Sequence, residues 1–87
     1  KAAKAFDGLQ IIATVDDYEK LEDLVDTLKK LNGVQGVQMR EYQNGKAVID
    51  VESNQKPHII LRMLKEKSDL GLFNEGITNN TMQLLVS

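Results

Sequence analysis

The sequence has no cysteine, no tryptophan, one proline and one histidine. Without cysteine, thiol catalysis, thiolate metal sites and disulfide staples are excluded. The aromatics are Phe6, Tyr18, Tyr42 and Phe73, so the core has to be aliphatic, built from Leu, Ile, Val and Met. Charge of one sign is also lacking: 11 basic and 13 acidic side chains give a net charge of −2, with the lysines interspersed among acids. A nucleic-acid surface requires a clustered basic face to neutralise phosphates, so no nucleic-acid partner is expected. No apolar run approaches the roughly 20 residues that span a bilayer, and no direct membrane insertion is expected. The chain starts at Lys1 rather than Met, which points to a processed or excised piece of a longer protein.

What is present is enough for one core. At 87 residues, with 41% hydrophobic and 28% charged residues, the chain reads as one small α+β domain rather than a disordered segment. Residues 1–6 read as a linker or frayed lead-in and residues 7–87 as the domain. Leu9, Ile11, Ala13 and Val15 alternate with Gln10, Ile12 and Thr14, the period-two pattern of a half-buried strand. Asp16 and Asp17 end it, and either can cap the helix that follows, Asp16 having capping-box spacing to Glu19. Leu21, Leu24, Val25, Leu28 and Leu31 form one apolar helical stripe that stops at Asn32-Gly33.

A second and a third strand are predicted at about 34–42 and 46–52, around Gln43-Asn44-Gly45. Asn-Gly favours a two-residue loop, but that loop opposes the apolar set of one strand to the polar set of the other. A three-residue loop with Gly45 as a bulge residue pairs Tyr42 with Lys46, Met39 with Ile49 and Val37 with Val51, and this register is preferred. Pro57 opens a second helix with Ile59, Ile60, Met63 and Leu64 on its inward side, and Ser68–Gly71 unwinds it. Met82–Val86 is a final strand after an Asn79-Asn80 turn, while 73–77 reads either as a short strand or as an irregular edge.

The order βαββαβ predicts a ferredoxin-like sandwich, an antiparallel sheet ordered 4-1-3-2 with both helices on one face. Its core is expected to hold Leu9, Ile11, Ala13, Val15, Leu21, Leu24, Val25, Leu28, Val37, Met39, Ile49, Val51, Ile60, Met63, Leu64, Leu84 and Val86. The helix-free face then carries Gln10, Ile12, Thr14, Gln38, Arg40, Tyr42, Val48, Asp50, Gln83 and Leu85. Ile12, Val48 and Leu85 fall on three adjacent strands as an apolar stripe beside Arg40 and Tyr42, and these five residues are the candidate interaction surface.

Motifs for chemistry are absent or unsuited to it. Glu19/Asp23 and Glu22/Asp26 are i, i+4 carboxylate pairs, but a smooth helix surface supplies too few converging oxygens for a cation. His58, the sole histidine, has no ligand cluster or nucleophile beside it in sequence. Gly33-Val34-Gln35-Gly36 precedes a strand rather than a helix and lacks the Lys-Ser/Thr of a phosphate loop. No catalytic residue, metal or cofactor is therefore expected. The first and third strands lack the aromatics on which an RNA-recognition domain stacks bases. Metal-transporting domains of this shape carry Cys-x-x-Cys where this chain has Val15-Asp16-Asp17-Tyr18.

The run Leu24…Leu28…Leu31-Asn32-Gly33-Val34-Gln35-Gly36-Val37, the Asn44–Val51 strand and the closing Gly76–Leu84 segment resemble the ring-building and BON-like modules of bacterial envelope proteins. The resemblance covers most of the chain from Leu9 onward. It implies a non-enzymatic assembly module attached to a larger, extracytoplasmic bacterial protein, with no family residue role to carry over. The expectation is thus a protein-interaction or self-association module. The alternative is a small-molecule-sensing regulatory domain resembling the ACT family, although Asp16-Asp17 would repel a ligand carboxylate and the loop has no glycine.

Overall fold

The computed structural model describes residues 8–78 and 80–87. The expected lead-in at 1–6, and Asn79 of the expected turn, lie outside the described residues. The elements are β1 (Gly8–Thr14), α1 (Tyr18–Lys29), β2 (Val34–Gln43), β3 (Lys46–Ser53), α2 (Pro57–Lys67), β4 (Leu72–Ile77) and β5 (Thr81–Val86). They form a small α+β domain with two helices and one mixed sheet of five strands, ordered β2-β3-β1-β5-β4.

The expected four-stranded antiparallel sheet ordered 4-1-3-2 is corrected by this topology. The segment left undecided becomes β4, which takes the outer edge and pairs antiparallel with β5. Thr78 N–H donates to the Thr81 carbonyl at 2.8 Å and closes the reversal. That reversal returns the chain inward, so β5 lies beside β1 and runs parallel to it. One extra strand has inverted the direction of the last one.

Local chemistry explains the helices. Asp17 caps α1: its carboxylate accepts from the Glu19 N–H at 2.9 Å, satisfying one of the donors that a helix start leaves free. The chain leaves α1 at Lys30, before the expected stop, and Gly33 then adopts φ 88° on the way into β2. Pro57 occupies the first turn of α2, where its missing N–H costs nothing.

Alternation along the strands builds the core. Leu9, Ile11 and Ala13 of β1 meet Ala47, Ile49 and Val51 of β3 and Met82, Leu84 and Val86 of β5 on one sheet face. Leu21, Leu24 and Leu28 of α1 and Ile60, Leu61 and Leu64 of α2 join the same cluster, so both helices cover that face. Each large side chain buried there contributes about 1.5–3 kcal/mol. Val25, Val37, Met39 and Met63, expected inside, are only partly buried, because β2 is an edge strand and the other two lie on helix flanks. Leu31, Ala47, Leu61, Leu72 and Met82 are buried in addition.

The β2–β3 hairpin corrects the expected loop. Gln43 pairs with Lys46 around a two-residue Asn44-Gly45 turn, with φ of 55° and 77° at the two positions. Both values are positive, as a primed hairpin turn requires. Met39 still pairs with Ile49 and Val37 with Val51. The two demands are reconciled by a bulge: the register shifts between Met39 and Glu41, leaving Arg40 as the extra residue. Beyond it the face assignment reverses. Tyr42 therefore pairs with Ala47, not Lys46, and turns towards the helices.

Candidate functional site

The helix-free sheet face is the surface on which the sequence-derived candidates can be placed. Ile12 of β1 is directly opposite Val48 of β3, and both are half-buried. Leu85 pairs with Thr14, one step further along β1, so it lies diagonal to Ile12 rather than level with it. Across β5, Leu85 is opposite Phe73 of β4. Phe73 and Leu85 are 61% and 36% exposed, the two large apolar side chains that stand furthest out on this face. An oblique apolar band thus runs Val48–Ile12–Leu85–Phe73 across four strands.

Sequence reasoning missed Phe73 because it fell in the undecided segment. The available signal was the pair Leu72-Phe73: an alternating edge strand with Leu72 inward leaves Phe73 outward.

Polar groups frame the band. Arg40, at the bulge, holds the Asp50 carboxylate through its guanidinium at 3.1 Å, and the Gln10 amide donates to the same carboxylate at 3.4 Å. Asp50 in turn pairs across the strands with Gln10 and Gln38. Beyond it, an open depression of about 410 Å³ is bordered by Gly36, Gln38, Arg40, Asp50 and Glu52. Gln83, opposite Ile12, flanks the band on the Gln10 side, and on the other side stand Thr14 and Lys46. Arg40 and Lys46 stand against Glu41, Asp50 and Glu52, and amides supply much of the remainder. Such a frame suits hydrogen bonding to a protein surface better than counterion release from a polyanion.

Tyr42 does not belong to this surface. Its hydroxyl donates to the Val15 carbonyl at 2.9 Å and its ring lies 5.8 Å from that of Tyr18. The expectation that it joins Ile12, Arg40, Val48 and Leu85 is corrected by the Arg40 bulge. The same hydrogen bond ties down the β1–α1 connection, where a sensor-type ligand would have to enter.

The remaining candidates stay apart. His58 is exposed in the first turn of α2, and Glu19, Glu22, Asp23 and Asp26 are all exposed along α1. Among the described residues no three His, Asp or Glu side chains are grouped so as to hold a metal ion, and no helix is long and apolar enough to cross a membrane. Comparison with family models, curated proteins and solved structures returned no match.

Proposed function

We propose that this domain is a non-enzymatic protein-interaction or oligomerisation module of a larger protein, with the helix-free sheet face as its docking surface. The observation that carries this reading is the oblique band Val48–Ile12–Leu85–Phe73, exposed on a sheet face that neither helix covers. Scattered exposed aliphatics are ordinary on a small protein, but a contiguous band with a polar frame of mixed charge has the composition of a contact surface. Taking strand spacing as ~4.8 Å and rise as ~3.3 Å per residue, the face offers roughly 500 Å² per partner. Roughly 1,000 Å² in total is at the low end for a specific interface, so a reversible contact is expected. An envelope location and a kinship with ring-building modules belong to the same proposal.

The ligand-sensing alternative is disfavoured by the Tyr42–Val15 hydrogen bond across the connection it needs. Aspartate substitution tests the docking surface. Ile12→Asp, Val48→Asp and Leu85→Asp are expected to weaken association, measured by sedimentation of the domain alone and with its parent chain. Leu85→Asp, at an exposed position, is expected to leave the circular dichroism spectrum unchanged. If all three variants fold and associate like the unaltered protein, the surface is wrongly assigned.

A further inference from the structure

The sheet ends in two edge strands, β2 and β4, and they differ. Among the described residues β2 is hydrogen-bonded to β3 alone, leaving the outer side of a ten-residue strand unpaired by them. Natural edges are protected by charge, proline or bulges. β2 has bulges at Gln35 and Arg40, but the run between them, Gly36-Val37-Gln38-Met39, has neither charge nor proline. The opposite edge, β4, is shorter and interrupted at Glu75.

Above the β2 edge, α1 presents one helical stripe. Tyr18, Glu22, Val25, Asp26 and Lys29 line an open hollow of about 280 Å³ whose floor includes Leu21 and Met39. The apolar part is incompletely covered: Val25 and Met39 are half-buried and Tyr18 is 49% exposed. The charged part is polarised, with Glu22 towards one end, Lys29 at the other and Asp26 between them.

α1 runs antiparallel to β2, from the Tyr18–Tyr42 contact at one end to Lys29 beside Val34–Val37 at the other. With rises of ~1.5 Å per helical and ~3.3 Å per strand residue, the middle of the unbroken β2 window lies beneath the Val25-Asp26 step of α1. A two-fold axis through that point would lay two β2 strands antiparallel and two α1 helices antiparallel above them. Lys29 of each copy would then approach Glu22 of the other, while the two Asp26 side chains would flank the axis. A two-fold contact has to be self-complementary, and the paired Glu22–Lys29 contacts are.

We propose that two copies of this chain associate through their β2 edges, continuing the sheet across the dimer and covering the α1–β2 hollow with opposed charges. The inference builds on the interaction-module reading, naming a second copy as partner at a surface separate from the apolar band.

The test is a charge exchange read by sedimentation equilibrium at low salt, with circular dichroism as a folding control. Lys29→Glu places acids against acids across the axis, and the double variant Glu22→Lys, Asp26→Lys places lysines against lysine. Each is expected to weaken dimerisation at least about tenfold, and mixing the two is expected to restore a dimer, since both contacts are then opposite in charge. The unaltered dimer should also weaken as salt rises. A monomeric unaltered chain at millimolar concentration, variants that dimerise unchanged, or a mixture that does not recover would each overturn the inference. If Leu85→Asp abolishes association while the charge variants leave it intact, the edge dimer falls and the sheet-face reading stands.

Discussion

Replacing Tyr42 with Phe removes one hydroxyl and reports on the whole β2 register. The hydroxyl donates to the Val15 carbonyl at 2.9 Å in a half-buried setting, only because the Arg40 bulge turns residues 41–43 over. The net value of such a bond is about 0.5–1.5 kcal/mol, and the abandoned carbonyl keeps the cost towards the upper part of that range. A domain of this size has a urea m-value of about 1 kcal/mol/M, so the Tyr42→Phe midpoint should fall by roughly 1 M with m unchanged. Tyr42→Ala also loses the ring and should cost about 2 kcal/mol, below the ~3–5 of a fully buried aromatic because the side chain is half-buried. A Tyr18→Ala, Tyr42→Ala double-mutant cycle should return a coupling of about 0.5–1.5 kcal/mol for the tilted ring pair. In an unbulged strand Tyr42 would stand on the open face, where losing the hydroxyl costs little. A Tyr42→Phe midpoint equal to that of the unaltered protein, with additive Tyr18 and Tyr42 effects, would refute the bulged register.

Leu24 is fully buried between helix and sheet, so Leu24→Ala should cost about 2.7–5 kcal/mol, a large part of the ~4–13 expected for this chain length; urea denaturation measures it. At Gly33, φ is 88° and an added Cβ would stand 2.7 Å from Gln55 Cγ, so Gly33→Ala should lower stability by about 1–2 kcal/mol. Gly76 has an open surround and no left-handed backbone, and Gly76→Ala should leave the thermal midpoint unchanged or slightly raised; equal losses at both glycines would contradict the backbone argument. Asp17→Ala should cost about 1 kcal/mol by removing the cap of α1, whereas Asp16→Ala should cost nothing measurable in the same titration.

Some of this architecture is written in local pattern. The apolar stripe of α1 has helical period and β1 has strand period, so burying either on its apolar side settles which residues face the core. Ile12 and Val48 could be placed on the open face for the same reason, since strand alternation leaves them no other. The pairing of Met39 with Ile49 was legible too, because a slip of one residue would have exposed an apolar set.

Three-dimensional competition decided the rest. Asn44-Gly45 demanded a two-residue turn while the apolar pattern demanded a register that such a turn does not give. The extra residue could have been placed in the loop or in the strand, and nothing local distinguishes these; the chain placed it at Arg40, where the Asp50 carboxylate receives the guanidinium and Tyr42 gains Val15. Phe73–Ile77 carries a weak strand signal broken at Glu75-Gly76, and only pairing with β5 makes it a strand. That pairing reverses β5, converts an antiparallel sheet into a mixed one and brings Phe73 onto the open face beside Leu85. The oblique band therefore depends on the β4–β5 hairpin together with the β1–β5 and β1–β3 pairings of strands far apart in sequence, which no short window of residues records.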